Sequence, residues 1–331
     1  MDATRRDFVG LSAAAAAVAA AGLGPATSNA EPAKAATKRD TWYVAALTPV
    51  DANGKFEAGI YDEWLALWKS QGAEGVLLGG STGEGQSFSN AERKAMIEVV
   101  GKNKHGLKVM VATGTSNVPD TIELSRHAAD HGADTVLMVP PFYAPRPSAE
   151  GILAFFDQVF AQVKSPARYY HIPGWTGVAI TDTTFWTRLG QHANLEGVKC
   201  TIGDAKEFET ISTLLPDRAI VTGSDRMIEQ ALGHGNGAIL ASGNLFTRQI
   251  AAVWAAHRAG ADIKAPMAKF NEAKALFSQE GYGDGAIADK FALSVILGSR
   301  PTFSRAPQLN KLSDSEKANI RKAVAQLKAM A

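Results

Sequence analysis

Eight short apolar runs, each followed by a stretch with helical periodicity, fill this chain from about residue 42 to residue 262. The runs are Tyr43–Leu47, Gly75–Leu78, Lys108–Ala112, Thr135–Val139, Arg168–Ile172, Gly197–Thr201, Ala219–Thr222 and Gly237–Ala241. Between them lie amphipathic patterns such as Tyr61–Gln71, Asn90–Lys102, Pro119–His131 and Ser148–Val163. Strands that are apolar on both faces belong to parallel sheets covered by helices. The α/β class follows, and eight units predict closure into a (β/α)8 TIM barrel, a fold of about 250 residues. A doubly wound open sheet is the alternative. Residues 263–331 read as a C-terminal helical extension that packs outside the barrel.

Within this frame Lys199 stands out. It sits in Gly197-Val198-Lys199-Cys200-Thr201, on the sixth run. Burying a lysine disfavours the ammonium and favours the free amine, which can attack a carbonyl. Strand alternation sets Gly197, Lys199 and Thr201 on one face and Val198 and Cys200 on the other. With Lys199 inward, Thr201 neighbours the amine, Gly197 leaves room for it, and Cys200 packs against the helices.

Two further segments bear on the same site. Gly79-Gly80-Ser81-Thr82-Gly83-Glu84 follows the second run, and such a turn converges N–H groups on an anion. Ser89 and Glu92 fit a capping box that starts the next helix. Neither G-x-G-x-x-G nor a P-loop is present. Tyr170 ends the fifth run, ahead of His171-Ile172-Pro173-Gly174-Trp175-Thr176-Gly177, and its phenol could shuttle a proton there. In a barrel these positions, with Tyr143 after the fourth run and Asp225 after the seventh, all fall at the C-terminal face, where active sites gather.

In this order the segments resemble the N-acetylneuraminate lyase and dihydrodipicolinate synthase family of pyruvate-dependent class I aldolases. The matching motifs are Gly80 to Glu84, Tyr170 to Gly177 and Gly197 to Thr201, and the resemblance spans roughly residues 42 to 325. It implies a Schiff base between Lys199 and the keto carbon of pyruvate, or of a 2-keto acid that yields pyruvate. It also implies carboxylate binding by Ser81 and Thr82, and proton relay by Tyr170. Tyr143 corresponds to a tyrosine that some members lend to a neighbouring subunit, although Ala144-Pro145-Arg146-Pro147 departs from the usual spacing. The resemblance implies a homotetramer and no metal or organic cofactor, because the lysine supplies the covalent chemistry.

The substrate beyond pyruvate is less constrained. Trp175 stands where dihydrodipicolinate synthases carry an arginine for the second substrate's carboxylate. Asp225 matches the first of two acidic residues in the lyase branch, but Arg226 follows it. Ala241 stands near where those lyases have a serine. The leading expectation is an aldolase or lyase acting on a 2-keto acid, with Trp175, Asp225, Arg226 and Thr201 among its substrate contacts. The alternatives are a 2-keto-3-deoxy sugar acid dehydratase, a dihydrodipicolinate synthase-like condensing enzyme, and an exported keto-acid binding protein.

The rest of the 331-residue chain narrows partners and compartment. Thr4-Arg5-Arg6-Asp7-Phe8-Val9, the alanine-rich Leu11–Leu23 and Ser28-Asn29-Ala30 read as a twin-arginine-type signal peptide over residues 1–30, followed by a linker over 31–41. The expectation is periplasmic export without stable membrane insertion, since the apolar stretch is short for a span. Net charge is +1 with no basic stripe, which argues against nucleic acid. One cysteine excludes an intrachain disulfide. His127 and His131 have a metal-compatible i, i+4 spacing, but the sequence offers no third ligand and they read as a surface helix. His171 should point away from Tyr170.

Overall fold

The structure, a computed structural model, describes residues 40–278, 282, 285–308 and 311–330. The expected signal segment lies outside the described residues, as does the linker up to residue 39. Eight strands alternate with helices: β1 Trp42–Ala45, α1 Ala58–Ser70, β2 Gly75–Leu78, α2 Asn90–Lys102, β3 Lys108–Ala112, α3 Val118–Asp130, β4 Thr135–Met138 and α4 Ala149–Gln162. Then come β5 Ala167–His171, α5 Pro173–Thr176, α6 Thr183–Leu189, β6 Leu195–Cys200, α7 Ala205–Leu214, β7 Ala219–Thr222, α8 Ile228–Gly233, β8 Ala238–Leu240 and α9 Gly243–Arg258. Three more helices follow, α10 Lys264–Ala275, α11 Ala286–Leu297 and α12 Asp314–Ala329. The strands form a closed parallel barrel in sequence order, with β8 pairing back onto β1 through Trp42↔Ala238. Closure removes the open-sheet alternative.

Alternation along each strand divides the core into two layers. Tyr43, Leu77, Met110, Leu137, Tyr170, Val221 and Ile239 fill the barrel interior. Val44, Val76, Val111, Val136, Tyr169, Val198, Cys200 and Ile220 face the helices. Each buried Val, Leu or Ile side chain contributes roughly 1.5–3 kcal/mol by leaving water. Trp64 and Trp68 on α1 are fully buried in the outer layer. The Trp68 indole donates to the Asn244 carbonyl at 3.1 Å, so its polar end is satisfied.

The N-terminal end of the barrel is plugged. Arg168 is fully buried, its Nε 3.0 Å from Glu196 Oε2 and its guanidinium 5.6 Å from the Tyr43 ring centroid. Burial opposes its charge, but the Glu196 carboxylate outweighs burial and holds it protonated. A side chain at Gly75 would place its Cβ 2.4 Å from the Tyr43 ring, so glycine there makes room for this plug.

Helix ends follow their local chemistry. Ser89 and Glu92 form the expected capping box of α2, and Ser313 and Glu316 form another on α12. Asp40 and Thr41, the last two residues of the expected linker, are docked onto the barrel. Thr41 is buried, and Asp40 pairs with Arg258 and accepts from the Trp254 indole at 2.6 Å. No helix of the described residues is long and apolar enough to cross a membrane.

Candidate active site

Lys199 and Tyr170 occupy adjacent register positions on β6 and β5 and point into the barrel near its C-terminal end. Lys199 is 3 % exposed, and its Nζ lies 4.2 Å from the centre of the Tyr170 ring. The Thr201 hydroxyl donates to the phenol oxygen at 3.3 Å. Burial pushes the Tyr170 phenol up. The Lys199 charge opposes this, with hydrogen bonds from Thr201, Ser81 and Lys199, and together they hold it below the usual tyrosine value. A tyrosine of lowered pKa against a lysine is an arrangement suited to proton transfer.

Gly223, at the end of β7, is what lets these groups fit. A Cβ there would stand 1.9 Å from Thr201 Oγ1 and 3.0 Å from Lys199 Cε. Gly197, expected to leave room for the amine, is also required by a neighbour on β7. Its added Cβ would strike the Ala219 carbonyl on β7 at 2.0 Å, so it permits strand approach two residues below the site.

Over Tyr170 opens a cavity of about 190 Å³. Gly79, Gly80, Ser81, Ala112, Gly114 and Gln86 form one side, and Leu137, Val139, Phe142, Ile172, Trp175 and Thr176 the other. Among the described residues, no charged one lines it. The glycine-rich turn is braced from behind. The Thr48 hydroxyl donates to the Gly83 carbonyl at 2.7 Å, and the Gln86 amide donates to the Gly114 carbonyl at 3.3 Å. Glu84 adopts a left-handed backbone, φ 55°, and sends its carboxylate inward to Lys290 of α11. Its other oxygen accepts from the Arg305 N–H at 2.9 Å.

Lys199, Tyr170, Thr201 and Ser81 are thus brought together, with Trp175 on the cavity rim and 69 % exposed. Lys199 meets the cavity beside Tyr170 rather than lining its wall. Thr82 is half-buried next to Ser81 and outside the lining. Tyr143 is 89 % exposed and does not reach the cavity within this chain, whereas its neighbour Phe142 does. Asp225 is engaged within the protein, accepting from Ser242 Oγ at 2.6 Å and pairing with Lys274 of α10. Arg226 is exposed and makes no ion pair among the described residues; the alternative pairing with Glu229 does not form.

Several partners escaped sequence reasoning. Ser242 lies one residue beyond Ala241, and Lys274 and Lys290 come from the extension. Lys290 did leave a signal, as a lone cation in the apolar run Ile287 to Leu293. Cys200 faces the helices as expected; burial, reinforced by Glu207, pushes its thiol far up and leaves it inert. His171 also points outward, 2.7 Å from Glu207, and burial lowers its pKa against the pull of that carboxylate. The histidine pair on α3 needs a correction. A third potential ligand, Glu98 on α2, stands with His127 and His131.

Over residues 39–326 the sequence matches the dihydrodipicolinate synthetase family. The chain belongs to that family. It is 37% identical to an uncharacterized DapA-like lyase of Chloroflexus aurantiacus over 70% of this chain and 79% of that one. It is 31% identical to a 4-hydroxy-tetrahydrodipicolinate synthase of Wolinella succinogenes over 63% and 71%. In three dimensions it shares its fold with YagE, a prophage protein of the dihydrodipicolinic acid synthase family from E. coli K12, solved in complex with pyruvate. That likeness has a TM-score of 0.77 at 24% identity and covers 87% of this chain and 98% of the other. The family supports a lyase-type enzyme.

Proposed function

We propose that this protein is a class I aldolase or lyase that cleaves or forms a C–C bond in a 2-keto acid, with pyruvate as the keto partner. One observation carries the reading: a buried lysine amine packed on a tyrosine whose phenol is held below its usual pKa, at the C-terminal end of a barrel. The amine adds to the keto carbon, and the carbinolamine loses water to give an iminium. The bond beyond C3 then breaks, its electron pair entering the iminium as an enamine. Tyr170 takes the proton from the hydroxyl that becomes the aldehyde. Protonation of the enamine and hydrolysis release pyruvate and restore Lys199. Ser81 and Thr82, at the turn on the cavity wall, hold the pyruvoyl carboxylate.

The cavity lining argues for the aldehyde half. With Leu137, Val139, Phe142, Ile172 and Trp175 around it and no charge, this space suits an uncharged, apolar or aromatic aldehyde. A second carboxylate there would lose hydration without a lining cation to pair with. The absence of a lining cation, with Trp175 in place of an arginine, disfavours condensation with an acidic second substrate. The proposed assembly is a homotetramer, in which an exposed Tyr143 would serve a neighbouring subunit.

The test is borohydride trapping with pyruvate, followed by intact mass. Wild type should gain one reduced adduct, and Lys199→Ala none. Pyruvate release should then be measured on adducts of aromatic, polyhydroxylated and carboxylated aldehydes. A missing adduct at saturating pyruvate returns the protein to a keto-acid binding role. Preference for the carboxylated adduct overturns the apolar assignment.

A further inference from the structure

We propose that Glu98, His127 and His131 form a binding site for a divalent transition metal, of which Zn2+ is the best match. It lies on the outer helix layer, at the barrel end away from Lys199. Their ligand atoms all lie within 4.8 Å of one another. Two imidazoles and one carboxylate are a zinc donor set, with metal–ligand distances of about 2.0–2.2 Å and water in the fourth position.

Three features indicate that this convergence is built into the fold. First, His131 Nδ1 lies 2.8 Å from the His127 carbonyl. A proton on Nδ1 donated there leaves Nε2 as a bare lone pair, the tautomer a metal needs. Second, His127 Nε2 lies 3.1 Å from Glu98 Oε1 but is not aligned for a hydrogen bond, and it is buried with no hydrogen-bond partner. An ion between them would satisfy both atoms. Third, α2 and α3 approach closely only because position 101 is glycine. A Cβ on Gly101 would stand 2.1 Å from the His131 carbonyl. The two rings stack with centroids 4.0 Å apart, presenting their edges together.

The surrounding charges permit a cation. Lys94 is paired with Glu123, and Arg126 donates to the Gln162 carbonyl and side chain. Both cations line the same groove as His127, but each is engaged with these partners, and Asp130 adds a negative charge beside them. His131 is exposed, so the site is open to solvent and to a fourth, water ligand. Being remote from Lys199, a bound ion would clamp α2 to α3 rather than take part in the reaction.

The experiment uses the full chain, stripped with chelator, and Zn2+ alone as probe, followed by competition with a chromophoric chelator. Wild type should bind one Zn2+ per chain, and His131→Ala and Glu98→Gln should each weaken that binding by roughly 10–100-fold. Zn2+ should raise the Tm of wild type and not of His131→Ala. Borohydride trapping with pyruvate should be equal in wild type and both variants. A wild type that takes up no Zn2+, or variants that bind as wild type does, overturns the proposal and leaves an ordinary His–Glu contact between helices. His131 is exposed at a helix end, so its alanine variant should fold; a circular dichroism spectrum matching wild type confirms that its loss of binding is local.

Discussion

Lys290, on the second helix of the C-terminal extension, is fully buried against the carboxylate of Glu84, the last residue of the glycine-rich turn at the active face. The ammonium also donates to the Phe303 carbonyl at 2.7 Å, and the pair is closed from solvent on both sides. The extension is therefore a brace for the turn proposed to bind the substrate carboxylate.

Removing one partner of such a pair strands the other as an uncompensated charge. Lys290→Met should cost about 3–5 kcal/mol, read as a lower urea midpoint. In addition, the pyruvate KM should rise, because the freed Glu84 no longer fixes Ser81 in place. A stability loss with unchanged KM would restrict the pair to a structural role.

Tyr170→Phe keeps the ring against Lys199 and removes the proton carrier. The expected fall in turnover is roughly 10²–10⁴-fold, with pyruvate trapping retained. Activity should rise with pH as the phenol ionises. Because its pKa is lowered from 10.0, that limb should level off before the pH at which free tyrosine titrates. The limb should vanish in Tyr170→Phe. A wild-type profile of the same shape as that of Tyr170→Phe would remove the phenol from the mechanism.

Gly223→Ala tests how tightly the amine is held. The new methyl meets Thr201 Oγ1 and Lys199 Cε, so the lysine must shift. Overpacking of this kind costs roughly 1–3 kcal/mol. Imine formation, followed by borohydride trapping rates, should slow far more than the modest drop in Tm suggests.

Arg226→Ala separates a distal anion site from a surface arginine. With the side chain exposed and outside the cavity lining, both pyruvate trapping and release from an apolar adduct should be unchanged. Selective loss of cleavage of a carboxylated adduct would restore Arg226 to the substrate.

Export is a proposal that rests on residues 1–30 alone. Arg5→Lys with Arg6→Lys should leave the precursor in the cytoplasm, seen by fractionation. Full-length wild type found only in the cytoplasm would defeat it.

The barrel was legible because the strands are buried on both faces and so read as short, mostly apolar runs. Gly75–Leu78, Lys108–Ala112 and Ala219–Thr222 match the observed strands residue for residue. The sixth strand starts earlier than its apolar run, at Leu195, which pairs with Ala167 on β5, and the next residue, Glu196, meets Arg168 across the strands. That pairing crosses strands and leaves no local trace. Alternation likewise oriented Lys199, Thr201 and Cys200 correctly. What could not be read were contacts between distant segments, such as Lys274 with Asp225, Lys290 with Glu84, and Glu98 with the α3 histidines. No periodicity records a partner on another helix. Gly197 has a further reason of the same kind, since the atom it must avoid belongs to β7.

The plug of Arg168, Glu196 and Tyr43 bears on the order of events. With the floor of the barrel sealed, every molecule enters and leaves by the upper mouth, past Trp175. The keto half would be tethered to Lys199 beneath, so the aldehyde must depart before pyruvate can be freed. In the proposed reaction, traffic through one opening would impose a sequence on release: the aldehyde would be first out and, in the synthetic direction, last in.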